Sequence, residues 1–128
     1  MPRIQRYKLT CPQLADYFRQ AFRPRDEWLV GVEVETMGRN ATTSRPLAYE
    51  AEGAGVRRVI EAYAAARGGA LVFEGDRPVG IDAAWGGITL EPGGQVEWSS
   101  RPEGDLTKLA KEIDGHLGAM RALASTLG

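Results

Sequence analysis

The spacing of glycine and proline between residues 70 and 99 constrains the fold of this chain most strongly. Four short apolar segments follow one another there, and turn-forming stretches such as Gly75-Asp76-Arg77-Pro78 and Pro92-Gly93-Gly94 separate them. This pattern predicts strands that pair as an antiparallel meander, because parallel strands need a crossover of a dozen or more residues. The four predicted strands are Ala70–Glu74, Val79–Ala83, Gly87–Glu91 and Gln95–Ser99.

A fifth strand is predicted upstream, over Trp28–Met37, because its side chains alternate in character. The even-numbered positions are apolar, β-branched or aromatic, whereas Glu33 and Glu35 occupy odd-numbered positions. Successive side chains of a strand point to opposite faces of a sheet. One face of this strand is therefore expected to pack in the core, and the other to carry two carboxylates. The even-numbered set is Trp28, Val30, Val32, Val34 and Thr36.

The first of three predicted helices begins after Thr10. Thr10 and Gln13 have the spacing of a capping box, and Pro12 suits the first helical turn. Apolar residues then recur at helical spacing until Pro24, which is expected to end the helix. These apolar residues are Leu14, Tyr17, Phe18, Ala21 and Phe22.

Two further helices are predicted downstream. The second covers Val56–Ala66 and stops at Gly68-Gly69, and the third opens at Pro102–Gly104 with Asp105 as its N-cap. The polar segment 38–53 is predicted to be a long loop of the kind that is functional or mobile. The apolar stripe of the third helix is Leu106, Leu109, Ile113, Leu117, Met120 and Leu123.

The element order α-β-α-β-β-β-β-α predicts a single α+β domain over residues 1–128, an antiparallel β-sheet backed by helices. A hydrophobic content of 43% is too high for a disordered chain, and a net charge of −1 gives no basic field for nucleic acid or anionic membrane. No stretch approaches the roughly 20 apolar residues that span a bilayer, and the first residues lack the apolar core of a secretory signal. Cys11 alone forms neither an internal disulfide nor a cysteine-rich zinc site, which fits a cytoplasmic location.

The acidic residues give the sharpest functional signal. Glu33 and Glu35 share one face of their strand, and Glu91 and Glu97 flank the Pro-Gly-Gly turn on the polar face of theirs. If these strands belong to one sheet, four carboxylates lie on one surface and repel one another unless a cation lies among them. Mg²⁺ or Mn²⁺ is the natural counter-ion, because hard cations take oxygen ligands and serve phosphoryl transfer. A solvated strand face also carries glutamates at alternate positions, so the residues alone leave both interpretations open.

Several segments resemble the glutamate–cysteine ligase family in its plant-type and bacterial branch. The strings VGVEVETMGR and GITLEPGGQVEWSS are similar to two of its signature segments, and VFEGDRPVGI is similar to the strand–turn–strand between them. The string DLTKLAKEIDGHLGAMRALASTLG is similar to the helix that follows. The similarity runs from about Trp28 to the end, and LEPGGQVE is its most specific part. It implies a partial glutamine-synthetase-like catalytic fold and an ATP-dependent ligase of glutathione-type thiol biosynthesis. In that family ATP phosphorylates the γ-carboxylate of glutamate, and the amine of cysteine attacks the acyl phosphate to give γ-glutamylcysteine.

The resemblance also implies roles for individual residues. Glu33 and Glu35 match the metal-binding E-x-E pair, and Glu91 and Glu97 match a second carboxylate pair that serves metal and substrate. Gln95 and Arg39 are weaker candidates for contact with substrate or phosphate. The implied cofactor is Mg²⁺ or Mn²⁺, with ATP as co-substrate and glutamate and cysteine as substrates. No catalytic nucleophile is assigned, because the chemistry requires none.

Members of that family are several times longer than this chain. The chain is therefore expected to be an incomplete, N-terminal part of a ligase catalytic domain, whose open sheet edge a partner chain would complete. Three alternatives remain open at this stage: a truncated remnant without activity, a carboxylate–amine ligase with another acceptor, and an unrelated Mg²⁺-binding or acidic-surface module.

The remaining reactive and aromatic residues are expected to be structural. His116 is predicted to be a helix-boundary or partly buried histidine, because no motif surrounds it. Cys11 lies at the start of the first helix, where a thiolate is favoured, but it is expected to have no special role. Trp28, Trp85 and Trp98 are predicted to lie in the core or at its rim, because no basic patch accompanies them as in nucleic-acid binding.

Overall fold

The computed structural model describes residues 8–51 and 53–127, which form an α+β arrangement of three α-helices, a one-turn 3₁₀ helix at Arg25–Glu27 and one antiparallel sheet. The sheet has five strands in the order β1-β5-β4-β3-β2, so the meander β2 to β5 and the added strand β1 are confirmed. The helices are α1 (Cys11–Gln20), α2 (Val56–Arg67) and α3 (Leu106–Leu127), and the strands are β1 (Glu33–Met37), β2 (Ala70–Glu74), β3 (Arg77–Ala83), β4 (Gly86–Glu91) and β5 (Gln95–Ser100).

Helices α2 and α3 cover one face of the sheet, and the core lies between them and the strands. Trp98 at the centre of β5 is fully buried, and Ile60 and Tyr63 of α2 pack against the same cluster. Burial of large apolar and aromatic side chains is the main term that stabilises such a two-layer domain. Within residues 8–51 and 53–127, no helix covers the opposite face of the sheet. The buried apolar side chains are Val56, Ile60, Tyr63, Ile81, Ile88, Val96, Trp98 and Leu109.

The predicted helix caps are present. Thr10 and Gln13 form a reciprocal capping box, and the Asp105 carboxylate accepts the backbone N–H groups of Thr107 and Lys108 at 2.8 and 3.4 Å. Helix α2 ends at Gly68, whose φ of +75° lies in the region that favours glycine. These local signals therefore set where each helix begins or ends. No helix in the described residues is both long enough and apolar enough to span a membrane.

The prediction of a strand from Trp28 onward is wrong at its start, because β1 begins only at Glu33. The partner strand β5 ends at Ser100, and Pro102 beyond it has no N–H to donate to a ladder. The Ser100 hydroxyl accepts the N–H of Val32 at 2.9 Å in place of a backbone carbonyl. Upstream of β1, Val30 forms an isolated antiparallel β-bridge with Glu103. The predicted bounds of β2 are confirmed, whereas β3 begins two residues earlier than predicted, β4 begins one residue earlier and β5 ends one residue later.

The prediction that the first helix extends to Pro24 is also wrong, since α1 ends at Gln20 and its stripe of apolar residues is exposed. Trp28 is likewise exposed and lies outside the core. Segment 38–53 is a loop as predicted, with one isolated bridge between Arg39 and Pro46 among its described residues.

Candidate active site

The register of the sheet decides on which face each candidate residue lies. Val96 and Trp98 of β5 are buried beneath the helices, so the odd-numbered residues of β5 lie on the uncovered face. Glu35 pairs directly with Glu97 across β1 and β5, and Glu91 pairs with Gln95 across β4 and β5. Because paired residues share a face, all four predicted glutamates and Gln95 lie together on the face opposite the helices. We call this surface the acidic face.

Cross-strand pairs arrange the acidic face in three rows. The middle row crosses the whole sheet, the first row lies at the Ser99 end of β5, and the third lies next to the Pro92-Gly93-Gly94 turn. The middle row is Glu35, Glu97, Thr89, Gly80 and Val72, the first is Glu33, Ser99, Gly87, Asp82 and Ala70, and the third is Met37, Gln95 and Glu91.

Polar neighbours hold the two central carboxylates. The side-chain amide of Gln95 donates a hydrogen bond to the Glu35 carboxylate. Oε1 of Glu97 accepts hydrogen bonds from the hydroxyls of Thr89 at 3.1 Å and Ser99 at 3.3 Å. These hydrogen bonds fix the orientation of the two carboxylates on the acidic face. Gln95 therefore lies next to the acidic residues on the same face of the sheet.

The four carboxylates share a face without converging on one point. In the part of the chain that the structure describes, no group of three acidic, histidine or cysteine side chains lies close enough together to hold a metal ion. Glu33 and Glu91 are two strands and four residues apart, which is about 17 Å at ideal sheet spacings. Glu35 and Glu97 are direct cross-strand neighbours, about 5 Å apart at Cα. One ion is therefore too small to contact all four, whereas the central pair lies within reach of a shared ligand.

Glycines open the acidic face beside these carboxylates. A Cβ at Gly80 would lie 2.5 Å from the carbonyl oxygen of Ile88, and one at Gly87 would lie 3.1 Å from that of Ile81. No side chain larger than hydrogen fits at Gly80 without a shift of the backbone. Gly80 and Gly87 thus leave part of the acidic face without side chains. A groove of about 740 Å³ runs over these two glycines, and its lining includes Thr89 and Ser99.

The sequence pattern places Thr89 and Ser99 on the polar face and indicates a turn at Gly86-Gly87, but it assigns no functional role to Gly80, Gly87, Thr89 or Ser99. An isolated glycine inside a strand pattern is the signal that marks such a close backbone approach.

Arg39 lies apart from the glutamates. It belongs to the loop that follows β1 and lines a cavity of about 190 Å³ at the edge of the core, together with Leu47, Gly94 and Leu123. Gly94 belongs to the turn between β4 and β5, so Arg39 is at the same end of the sheet as Glu91. Among the described residues no ion pair joins Arg39 to the acidic face.

His116 lies on the opposite side of the sheet, and the prediction of a helix-boundary or partly buried histidine is wrong. It is fully buried in the middle of α3, because its position in the helix places the ring directly on Trp98. The two rings stack with centroids 5.2 Å apart, and Nδ1 shares a hydrogen bond of 3.1 Å with the Tyr63 hydroxyl. Burial, followed by the positive charge of Arg67, lowers the pKa of His116 to about 4. The imidazole is therefore neutral near pH 7 and has a structural role.

Comparison with known proteins identifies the family. The family model "Glutamate-cysteine ligase family 2(GCS2)" matches residues 29–128. A chloroplastic glutamate–cysteine ligase of Medicago truncatula is 32% identical over 120 residues, which cover 94% of this chain and 23% of that protein. Those of Brassica juncea and Arabidopsis thaliana are each 30% identical over 94% of this chain, and the match covers 23% and 22% of their lengths. The chain thus spans about a quarter of the length of these relatives, and it belongs to the GCS2 family of glutamate–cysteine ligases.

Proposed function

We propose that this chain provides the acidic sheet of an ATP- and Mg²⁺-dependent ligase that joins the γ-carboxylate of glutamate to the amine of cysteine. The observation that supports this most is the position of Glu33, Glu35, Glu91 and Glu97 on one uncovered face of the sheet, in a chain of the GCS2 family.

The reaction explains why such a chain needs an acidic face rather than a nucleophile. A carboxylate is a poor electrophile, so its oxygen first takes the γ-phosphoryl group of ATP, and ADP leaves. The amine nitrogen of cysteine then attacks the acyl carbon, the C–O bond to phosphate breaks, and γ-glutamylcysteine and phosphate form. Each step gathers several negative charges, which must be neutralised and oriented.

The carboxylates of the acidic face suit a hard divalent cation in their chemistry. Glu35 and Glu97 are direct cross-strand neighbours and would be the first pair of ligands for such a cation. Glu33 and Glu91 lie toward the two ends of the acidic face. Because Glu33 and Glu91 are about 17 Å apart at ideal spacings, the four residues would serve at least two ion positions. When bound, Mg²⁺ supplies charge neutralisation at the phosphate oxygens.

Gln95 and Arg39 orient substrates in this proposal. The Gln95 amide now donates to Glu35, and it becomes free to donate to a substrate carboxylate once Glu35 turns toward a metal ion. Arg39, at the Glu91 end of the sheet, carries a guanidinium that suits a phosphate or carboxylate group.

A second candidate function follows from the coverage of the relatives. The match covers 22–24% of the relatives' lengths, and β1 and β2 are the outer strands of the sheet in the described residues. In this alternative the chain is an incomplete N-terminal part of the ligase domain, and it is either an inactive remnant or a subunit whose sheet a partner chain completes. A related carboxylate–amine ligase with another acceptor is the third option. A reducing cytoplasm and glutathione-type thiol synthesis are the setting that we propose for the activity.

An assay of the purified chain separates these functions. The chain is incubated with glutamate, cysteine, ATP and Mg²⁺, and γ-glutamylcysteine is measured by mass spectrometry, with other amines offered in place of cysteine. The Glu97→Gln variant is expected to abolish product, whereas the matched Asp76→Asn variant, in the exposed turn between β2 and β3, keeps it. The absence of both turnover and a nucleotide-linked shift in melting temperature would favour the remnant. Product with another amine alone would favour the related ligase.

A further inference from the structure

Helix α1 has no buried residue, although its sequence is amphipathic. Tyr17 and Phe18 are 70% and 62% exposed, and Phe22, just beyond the helix, is 77% exposed. An isolated helix shorter than about 12 residues is marginal in water, and most helical stability in proteins comes from packing an apolar face. The ten residues of α1 therefore need a surface to pack against.

The exposed apolar residues continue from α1 toward the sheet. Trp28 and Leu29 are 64% and 61% exposed, and with Phe22 and Val30 they line a groove of about 910 Å³. An aromatic side chain buries about 150–250 Å² when it is covered, so the four aromatic residues alone expose on the order of 400–700 Å². This equals or exceeds the largest apolar patch of a typical monomer. We call this patch the α1 surface, and its members are Tyr17, Phe18, Phe22, Trp28, Leu29 and Val30.

The relatives of this chain are much longer than the segment that it matches. Their alignments cover 94% of this chain, which includes α1, yet the same segment makes up only 22–24% of each relative. In those proteins the segment therefore belongs to a chain about four times as long. The α1 surface also adjoins the groove over the acidic face, because Pro102 lines both grooves.

We propose that the α1 surface is the docking site for a ligase-type polypeptide that corresponds to the remaining three quarters of these relatives. This inference rests on the proposed function, since it names the partner that completes the same site. A polypeptide seated on the α1 surface covers Trp28 and Val30 and reaches the outer strand β1, where Glu33 and Glu35 lie. The apolar contact supplies the affinity for the partner, and backbone pairing with the edge of β1 fixes the orientation in which the partner binds.

Cys11 provides a reporter of this contact in the unmodified chain. It is the single cysteine of the sequence, it is exposed, and it lies seven residues, about two helical turns, before Phe18 on the same side of α1. The full chain is co-expressed with the Medicago truncatula ligase from which the aligned segment has been removed. The expected result is a one-to-one complex in which maleimide labels Cys11 more slowly than in the chain alone.

Matched variants test whether the α1 surface carries the contact. Phe18→Ser combined with Phe22→Ser is expected to weaken capture by about tenfold or more. Phe73→Ser, which removes an aromatic residue that is 55% exposed on β2 at the far edge of the sheet, is expected to leave capture unchanged. Equal capture of the double variant and the unmodified chain would overturn the proposal. The proposal would also be overturned if the ligase segment is soluble but is not captured. Protection of Cys11 by pairing of this chain with a second copy of itself would overturn it as well.

A chimera keeps the proposal testable when the ligase segment is insoluble alone. In it this chain replaces the aligned segment of the Medicago truncatula ligase. The double Phe variant is expected to lower the melting temperature of the chimera by several degrees and to leave that of the chain alone unchanged, and equal effects in both would overturn the proposal. Complex formation without γ-glutamylcysteine would contradict the proposed function only, and product from the chain alone without a complex would contradict the docking site only.

Discussion

Acidification from pH 7 to pH 5 is expected to destabilise this protein through His116. Its pKa in the folded chain is about 4, against an ordinary value of 6.5. Above pH 6.5 the imidazole is neutral in both the folded and the unfolded state, so it adds no pH dependence. As the pH falls below 6.5 the unfolded chain binds a proton that the folded chain does not, and stability is lost until the pH reaches about 4.

The magnitude follows from the difference between the two pKa values and from the surroundings of the ring. Trp98 stacks on the imidazole and Tyr63 holds Nδ1, while the guanidinium of Arg67 opposes a second positive charge nearby. At about 1.4 kcal/mol per pKa unit, the full loss is about 3 kcal/mol, and about 2 kcal/mol of it is complete by pH 5. A domain of this size is stable by about 5–15 kcal/mol, so the loss is large enough to measure.

Urea unfolding at pH 7 and pH 5 tests this reasoning, with His116→Gln as the comparison. The sequence has one histidine, so the substitution removes all histidine titration, while the carboxylates contribute equally to both proteins. The free energy of unfolding of the unmodified chain is expected to fall by about 2 kcal/mol more than that of the variant between the two pH values. Equal losses in the two proteins would refute the argument that His116 is buried in its neutral form.

Three further substitutions probe the acidic face and the helices. Glu97→Gln is expected to weaken Mg²⁺ affinity by about tenfold or more in calorimetric titration, and Asp76→Asn to leave it unchanged; equal affinities would argue against a metal role for Glu97. Gly80→Ala is expected to destabilise the fold by about 1–3 kcal/mol in urea, because the new Cβ meets the Ile88 carbonyl at 2.5 Å, and an unchanged midpoint would contradict that close approach. Asp105→Ala is expected to lower the free energy of unfolding by about 1 kcal/mol, because α3 loses its N-cap. Asp105→Ser is expected to retain most of that stability.

Local signals predicted most of the fold. The capping box at Thr10, the Asp105 cap and the glycine stop at Gly68 involve residues a few positions apart, and each is present in the structure. The strand alternation predicted correctly which side of β1 and β5 faces the helices, because a face with Val34 and Trp98 buries far more apolar area than one with glutamates.

Features that depend on distant partners were not predictable in this way. The late start of β1 depends on Ser100 and Pro102, about 70 positions away. Gly80 and Gly87 become neighbours only when β3 and β4 are placed in register. The amphipathic pattern of α1 predicted an apolar face, but the sequence of a helix does not determine which surface packs against that face.

The acidic face and the core specify each other through the register. A slip by one residue between β1 and β5 would turn Glu33 and Glu35 beneath the helices and would move Val34, which pairs with Trp98, to the uncovered face. Burying carboxylates without partners costs several kcal/mol each, and the loss of apolar packing adds to that cost. Gly93 and Gly94, with φ of +85° and +80°, fix a turn that pairs Glu91 with Gln95 and so keeps Glu91 on the side of Glu97. The apolar alternation that forms the core is therefore also what gathers the four glutamates on one face.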